Sequence, residues 1–90
     1  MAVSKIHKEQ FSSFQIQIQN LVVPANISAW YSTVDIPDNA VSINGYYIES
    51  IWCTLRSLTF NRSTGKIDIC LRNWSTSEVT TSMVVDIATN

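Results

Sequence analysis

Few residues in this chain have a side chain that could do covalent or acid–base chemistry. There are one histidine, two cysteines and seven carboxylates. His7 is the one imidazole, and it sits in a charged N-terminal stretch without periodicity. Neither a Ser-His-Asp nor a Cys-His arrangement therefore has a placed base. Cys53 and Cys70 could form one bridge, but a free, half-buried pair is the preferred reading. With no histidine near them, they fall short of the three or four ligands a zinc site requires. Asp35, Glu49, Asp68 and Asp86 fall within expected strands, and a pair of them could support glycoside hydrolysis. The simpler reading is that they are outward-facing, solubilising charges. No glycine-rich phosphate loop exists among only two glycines. The expectation is no enzyme, no metal and no cofactor.

The aromatic residues carry more. Three tryptophans and three tyrosines are amphipathic rings. Trp74 lies in the polar run "RNWSTSE", a loop between two periodic segments, and loops run on the surface and often carry binding residues. An exposed indole there could stack on a sugar ring, with Arg72, Asn73 and Ser75 hydrogen-bonding its hydroxyls. The competing reading has Trp74 fold back to cap the end of the domain. Trp52, with Ile48 on its face, is expected in the core or at a subunit contact.

Composition limits the possible partners. Ninety residues make one domain, with 46% apolar and 14% charged residues against a usual charged share of roughly 25%. The net charge is −1, and the six basic residues are scattered along the sequence. Nucleic acid is not an expected partner. No run approaches the ~20 apolar residues of a membrane helix, so membrane insertion is not expected. The opening "MAVSKIHKEQ" has no signal-peptide core, and ordinary secretion is not expected. Asn26, Asn61 and Asn73 fit the glycosylation pattern, which a Ser- and Asn-rich composition produces by itself.

The elements that must position these side chains are strands. "FQIQIQN" puts Phe14, Ile16 and Ile18 on one side and glutamines on the other, and Pro24 ends the run. A second strand is expected from Ile27 to Ile36, with Trp30, Val34 and Ile36 opposite Ile27, Ala29 and Tyr31. Asn44-Gly45 reads as a tight turn before a third strand through "YYIESIWCTL". A short strand at Leu58 to Phe60 leads into a hairpin loop "NRSTGK", where Gly65 can take a positive φ. "KIDICLRN" follows, with Ile67, Ile69 and Leu71 inward. The last strand runs from Val79 to about Ala88, with Val79, Thr81, Met83, Val85 and Ile87 on one face. No segment shows a helical period. The expected fold is an all-β, two-layer antiparallel sandwich of jelly-roll or Greek-key path over residues 13–90, preceded by a flexible stub or connector at 1–12.

The succession "NLVVPAN", "YSTVDIP", "GYYIESIW" and "KIDICLRNWSTSEVTTSMVVDI" resembles a small β-domain found at the tips of phage tail fibres and receptor-binding proteins. Gly45, Tyr46, Ile48, Ile51 and Trp52 match its mid-chain "GY.PIGI.GW", with Tyr47 near the place of the missing proline. Arg72-Asn73 match the end of its penultimate strand, and Val79 to Ile87 its terminal one. The resemblance implies a trimeric, non-enzymatic domain of a virion tip, made in the host cytoplasm, that adheres to a host-surface glycan or protein. A structural trimerisation module of a virion and a carbohydrate-binding module of a bacterial protein are the alternatives.

Burial between subunits also follows from surplus apolar surface, and the resemblance implies that the assembly is a homotrimer. The second and third expected strands are apolar on both faces, Leu21 and Val23 join the glutamine side of the first, and Val84 breaks the polar side of the last. A domain this small gains from burying such faces between subunits. Tyr47, Ile51, Ile27 and Tyr31 are the expected contact residues.

Overall fold

A computed structural model of the chain describes residues 2–8, 13–33 and 35–90. The side chains of His7, Phe14 and Val34, to which the sequence assigns places, lie outside the described residues. The chain forms strands β1 (Ala2–Lys8), β2 (Ser13–Val23), β3 (Ser28–Ser32), β4 (Ala40–Ile48), β5 (Cys53–Asn61), β6 (Lys66–Asn73) and β7 (Val79–Thr89). No helix occurs among the described residues.

Two antiparallel sheets face one another, with strand orders β1-β2-β7-β4 and β3-β6-β5. The path from β2 to β7 is one long hairpin rolled up: β2 pairs with β7 and β3 with β6, while β4 turns back beside β7 and β5 beside β6. That is a jelly-roll path, one of the two paths expected from the sequence. The stretch read as a connector contributes instead an edge strand, since Ala2–Lys8 pairs with Ser13 to Gln19 of β2.

The core comes from alternation. Ile67, Ile69 and Leu71 of β6 are buried, as are Met83, Val85 and Ile87 of β7, with Thr81 beside them. Opposing apolar faces of two sheets interdigitate in a layer about 10 Å thick. Ile16, Ile18, Leu21 and Val23 complete the inner face of β2. Simple period-2 counting would put Leu21 and Val23 outside. A bulge between Ile18 and Leu21, with Asn20 at φ 59°, adds one residue and returns both side chains to the core. Asparagine is among the few residues that take this left-handed conformation readily.

Register shifts also alter the expected pattern in β5 and β4. In β5 a shift between Leu55 and Ser57 keeps Leu55, Leu58 and Phe60 packed against the core. In β4 the shift between Ile43 and Gly45 absorbs Asn44-Gly45 inside the strand, where the sequence suggests a turn. The turn falls later, at residues 49–52, and divides the expected third strand into β4 and β5. The expected short strand at Leu58 to Phe60 is the second half of β5. Residues 62–65 form the hairpin loop as expected, with Gly65 at φ 68° and its N–H donating to Asn61 O at 2.9 Å. Cys53 and Cys70 are both buried and free.

The faces of β3 are the reverse of the simplest reading. Ala29 and Tyr31 pack inward, and the Tyr31 hydroxyl donates to Val22 O. Trp30 points outward and is 65% exposed. Thr33 extends the β3–β6 pairing: its N–H donates to Ile67 O and its buried hydroxyl accepts from Ile67 N–H, each at 2.9 Å.

Candidate functional site

One end of the sandwich gathers most of the residues singled out above. There the turn at 49–52, the loop at 74–78 and the segment preceding β3 lie together. Trp74 N–H donates to Trp52 O at 2.9 Å, and Asn73 N–H donates to Ile27 O at 3.0 Å.

Asn73 holds this end in place. It is fully buried, and its Nδ2 donates to Val23 O at 3.0 Å, Pro24 O at 3.2 Å and Ser77 O at 2.9 Å. Its Oδ1 accepts from Ser75 N–H at 2.8 Å, and Ser75 Oγ in turn accepts from Ser77 N–H at 3.1 Å. The structure thus moves Asn73 from ligand contact to loop scaffold, because the end of β6 turns its side chain inward and its polar atoms are all engaged. Ser75 has the same role in part, since its hydroxyl serves the loop.

The next residue in the alternation points the other way. Trp74 is 56% exposed and does not cap the sandwich. Its ring lies on the outer face of the β3-β6-β5 sheet, fixed by Nε1–H donating to Thr54 Oγ1 at 2.9 Å. The Arg72 guanidinium sits 4.8 Å from the ring centroid, within cation–π range. Arg72 is also held by Nη2–H donating to Asn26 Oδ1 at 2.9 Å. Asn26 reaches it from the turn after Pro24, at φ 57°. Arg72 Nε is buried without a partner.

Trp30 shares this face. It stands opposite Cys70 on β6, and Ser57 flanks Cys70 from β5. Period-2 counting groups Trp30 with Val34 and Ile36, which hides it as a surface residue. Its flanking Ser28 and Ser32, both polar, were the available signal that this face is wet. Further along the same face Asp68 accepts from Ser32 Oγ at 2.8 Å and from Asn61 Nδ2 at 3.3 Å, so both carboxylate oxygens have structural partners.

The expected contact residues separate into two groups. Ile27, Tyr47 and Ile51 are exposed, Ile51 to 89% at the tip of the turn. Tyr31 is not available for such a contact: it packs inward against the core. Trp52, expected in the core or at a contact, is also exposed, beside Ile51. Part of the expected apolar surplus is absent, because Leu21 and Val23 are core residues.

Burial raises the Tyr31 hydroxyl above its ordinary pKa, with the neighbouring Cys53 and Cys70 adding to the shift. Burial likewise raises the Cys53 thiol, partly offset by a hydrogen bond from Ser50. These shifts work against thiolate formation at Cys53 near neutral pH. Among the described residues, no group of three or more His, Cys, Asp or Glu could hold a metal ion. Comparison with known proteins returns no matching family model, no matching curated protein and no matching solved structure.

Proposed function

We propose that this domain is a non-enzymatic adhesion module of a phage tail fibre or receptor-binding protein tip, assembled as a homotrimer and binding a glycan or protein on the host surface. The observation that supports adhesion best is the presentation of Trp74. A large ring is held open to solvent and braced from two sides by Thr54 and Arg72. Such a ring is ordered before any ligand arrives, so binding loses little side-chain entropy. The sequence resemblance supplies the setting, and a jelly-roll sandwich is compatible with it.

The test is binding of the purified domain to glycan arrays and to host cells, with Trp74→Ala as the comparison. Loss of binding by a variant with an unchanged circular dichroism spectrum is the expected result. Full binding by that variant removes this surface from consideration.

A second reading, an assembly module without a ligand of its own, draws on the exposed Ile27, Ile51 and Trp52 at the same end. Three side chains of this size are the kind a subunit contact buries. Light scattering at micromolar concentration addresses assembly in both readings: a trimer has three times the chain mass of 10.1 kDa. A trimer that binds no host surface favours the assembly module.

A further inference from the structure

We infer that Trp74, Arg72 and Trp30 form one platform across the outer face of the β3-β6-β5 sheet, and that it takes an extended acidic oligosaccharide. This inference rests on the adhesion reading and names the ligand class for that surface.

Register sets the layout. Arg72 on the central strand lies opposite Ser28 on β3 and Thr54 on β5. Trp30 is two residues along β3 from Ser28, in the row of Cys70. Trp74 is tied to Thr54 on the far strand. Two residues of rise and two strand spacings separate Trp30 from Thr54 by about 12 Å along the sheet diagonal. A single sugar ring does not span the two indoles, but a short chain laid obliquely over β6 does. Between them the surface offers small polar groups, Ser28, Thr54 and Ser57, with no long side chain rising from Cys70.

Charge selects the kind of chain. The β5–β6 hairpin, residues 53–73, carries Arg56, Arg62, Lys66 and Arg72 against one acid, Asp68, for a net +3. The rest of the chain carries Lys5 and Lys8 against six acids, for a net −4, which together give the chain's −1. Three of these basic residues, Arg56, Lys66 and Arg72, thus lie on the strands of this sheet, while Arg62 lies in the connecting loop and donates to Val41 O of β4. Asp68 is occupied by Ser32 and Asn61, and Arg72 donates to the neutral Asn26. The cation at the centre of the platform therefore has a neutral amide for its hydrogen-bond partner. A carboxylate on a sugar ring stacked against Trp74 would meet that guanidinium, and charge-assisted bonds of this kind are among the stronger ones.

The test is calorimetric titration of the folded domain with galacturonic acid hexamer, its dimer, cellohexaose and a single-stranded oligodeoxynucleotide. Binding of the acidic hexamer, with weaker binding of the dimer and of the neutral hexamer, is expected, and its affinity should fall as salt rises. Trp30→Ala should weaken the acidic hexamer about tenfold, the loss of one stacking contact, and leave the dimer unchanged. Arg72→Gln should abolish the preference for the acidic over the neutral hexamer. If Trp74→Ala weakens binding while Trp30→Ala does not, or if cellohexaose binds as well as the acidic hexamer, this inference is overturned and the adhesion reading stands. Tighter binding of the oligonucleotide overturns it as well. If Trp74→Ala leaves every affinity unchanged, or if no oligosaccharide binds, this inference fails and the Trp74 surface is removed from the adhesion reading.

Discussion

Replacing Asn73 by alanine tests how the Trp74 end is built. The side chain makes four hydrogen-bond contacts: the two N–H groups of Nδ2 reach three carbonyls, one N–H being shared, and Oδ1 accepts one bond. The bond to Val23 O is fully buried, so its loss strands a carbonyl at a cost of about 1–3 kcal/mol. The other three are part-buried, where water replaces much of what is lost, and about 0.5 kcal/mol each is a fair allowance. The expected destabilisation is about 3 kcal/mol, against a whole-domain stability of roughly 5–13 kcal/mol at 0.05–0.15 kcal/mol per residue. With a urea slope of about 1–3 kcal/mol per M, the midpoint falls by about 1–3 M. Urea unfolding followed by circular dichroism at fixed protein concentration measures this. Asn73→Asp sharpens the test, since it keeps an acceptor for Ser75 but turns a second oxygen toward three carbonyls. It should be less stable than the alanine variant at neutral pH and recover as the carboxyl protonates in acid. An alanine variant within 0.5 kcal/mol of wild type, or an aspartate variant as stable as asparagine, would refute the scaffold role.

Three other outcomes follow from the same structure. Ile69→Asp should leave no folded protein by circular dichroism, since an unpaired buried charge costs several kcal/mol, whereas Asp68→Asn should cost only about 1 kcal/mol, because one acceptor of two is kept; the reverse order would mean the faces of β6 are misassigned. Gly65→Ala should cost about 1–2 kcal/mol in thermal or urea unfolding, because φ is 68° although no atom lies within 4 Å of an added Cβ; an unchanged stability would show that the turn can relax. Stability should decline in alkali: the thiol of Cys53 and hydroxyl of Tyr31 are raised from 9.0 and 10.0, so the unfolded chain loses these protons first and stability falls with rising pH from about 9 upward. Replacing Cys53 by Ser and Tyr31 by Phe should flatten that decline, and a decline of the same slope in the double variant would assign it to other groups.

Where the chain alternates without interruption, the sequence alone was enough. The inward faces of β6 and β7, the hairpin between β5 and β6, and the positive φ at Gly65 were all legible. Reading failed where a strand gained one residue. Nothing in "IQNLVV" distinguishes a bulge at Asn20 from continued alternation, so Leu21 and Val23 looked like surplus apolar surface. "YYIESIWCTL" concealed a turn, because Glu49 and Ser50 are too few to break a β-rich run on composition alone. Of the candidate site, Trp74 and Arg72 were visible from their polar loop. Asn73 is grouped with the ligand contacts by its place in the polar run "RNWSTSE", although the parity of Ile67, Ile69 and Leu71 already turns it inward. Trp30 is hidden differently, because period-2 counting groups it with Ile36, which is buried while Trp30 is exposed.

The position of β7 has a consequence for how the molecule comes into being. It is the last strand of the fold in sequence, yet it lies between β2 and β4 in its sheet. Its pairing with β2 joins Ser13 to Ala88, across almost the whole domain. Contacts of such separation must overcome the entropy of closing long loops before they contribute anything, which places folding in the millisecond-to-second range of sandwiches. During synthesis β2 and β4 emerge well before the strand that fills the space between them. Until Val79–Thr89 leaves the ribosome, both present open backbone edges and bare inner faces to any neighbouring nascent chain. A chain that stops short of Val79 is therefore less a smaller version of this domain than a template for aggregation.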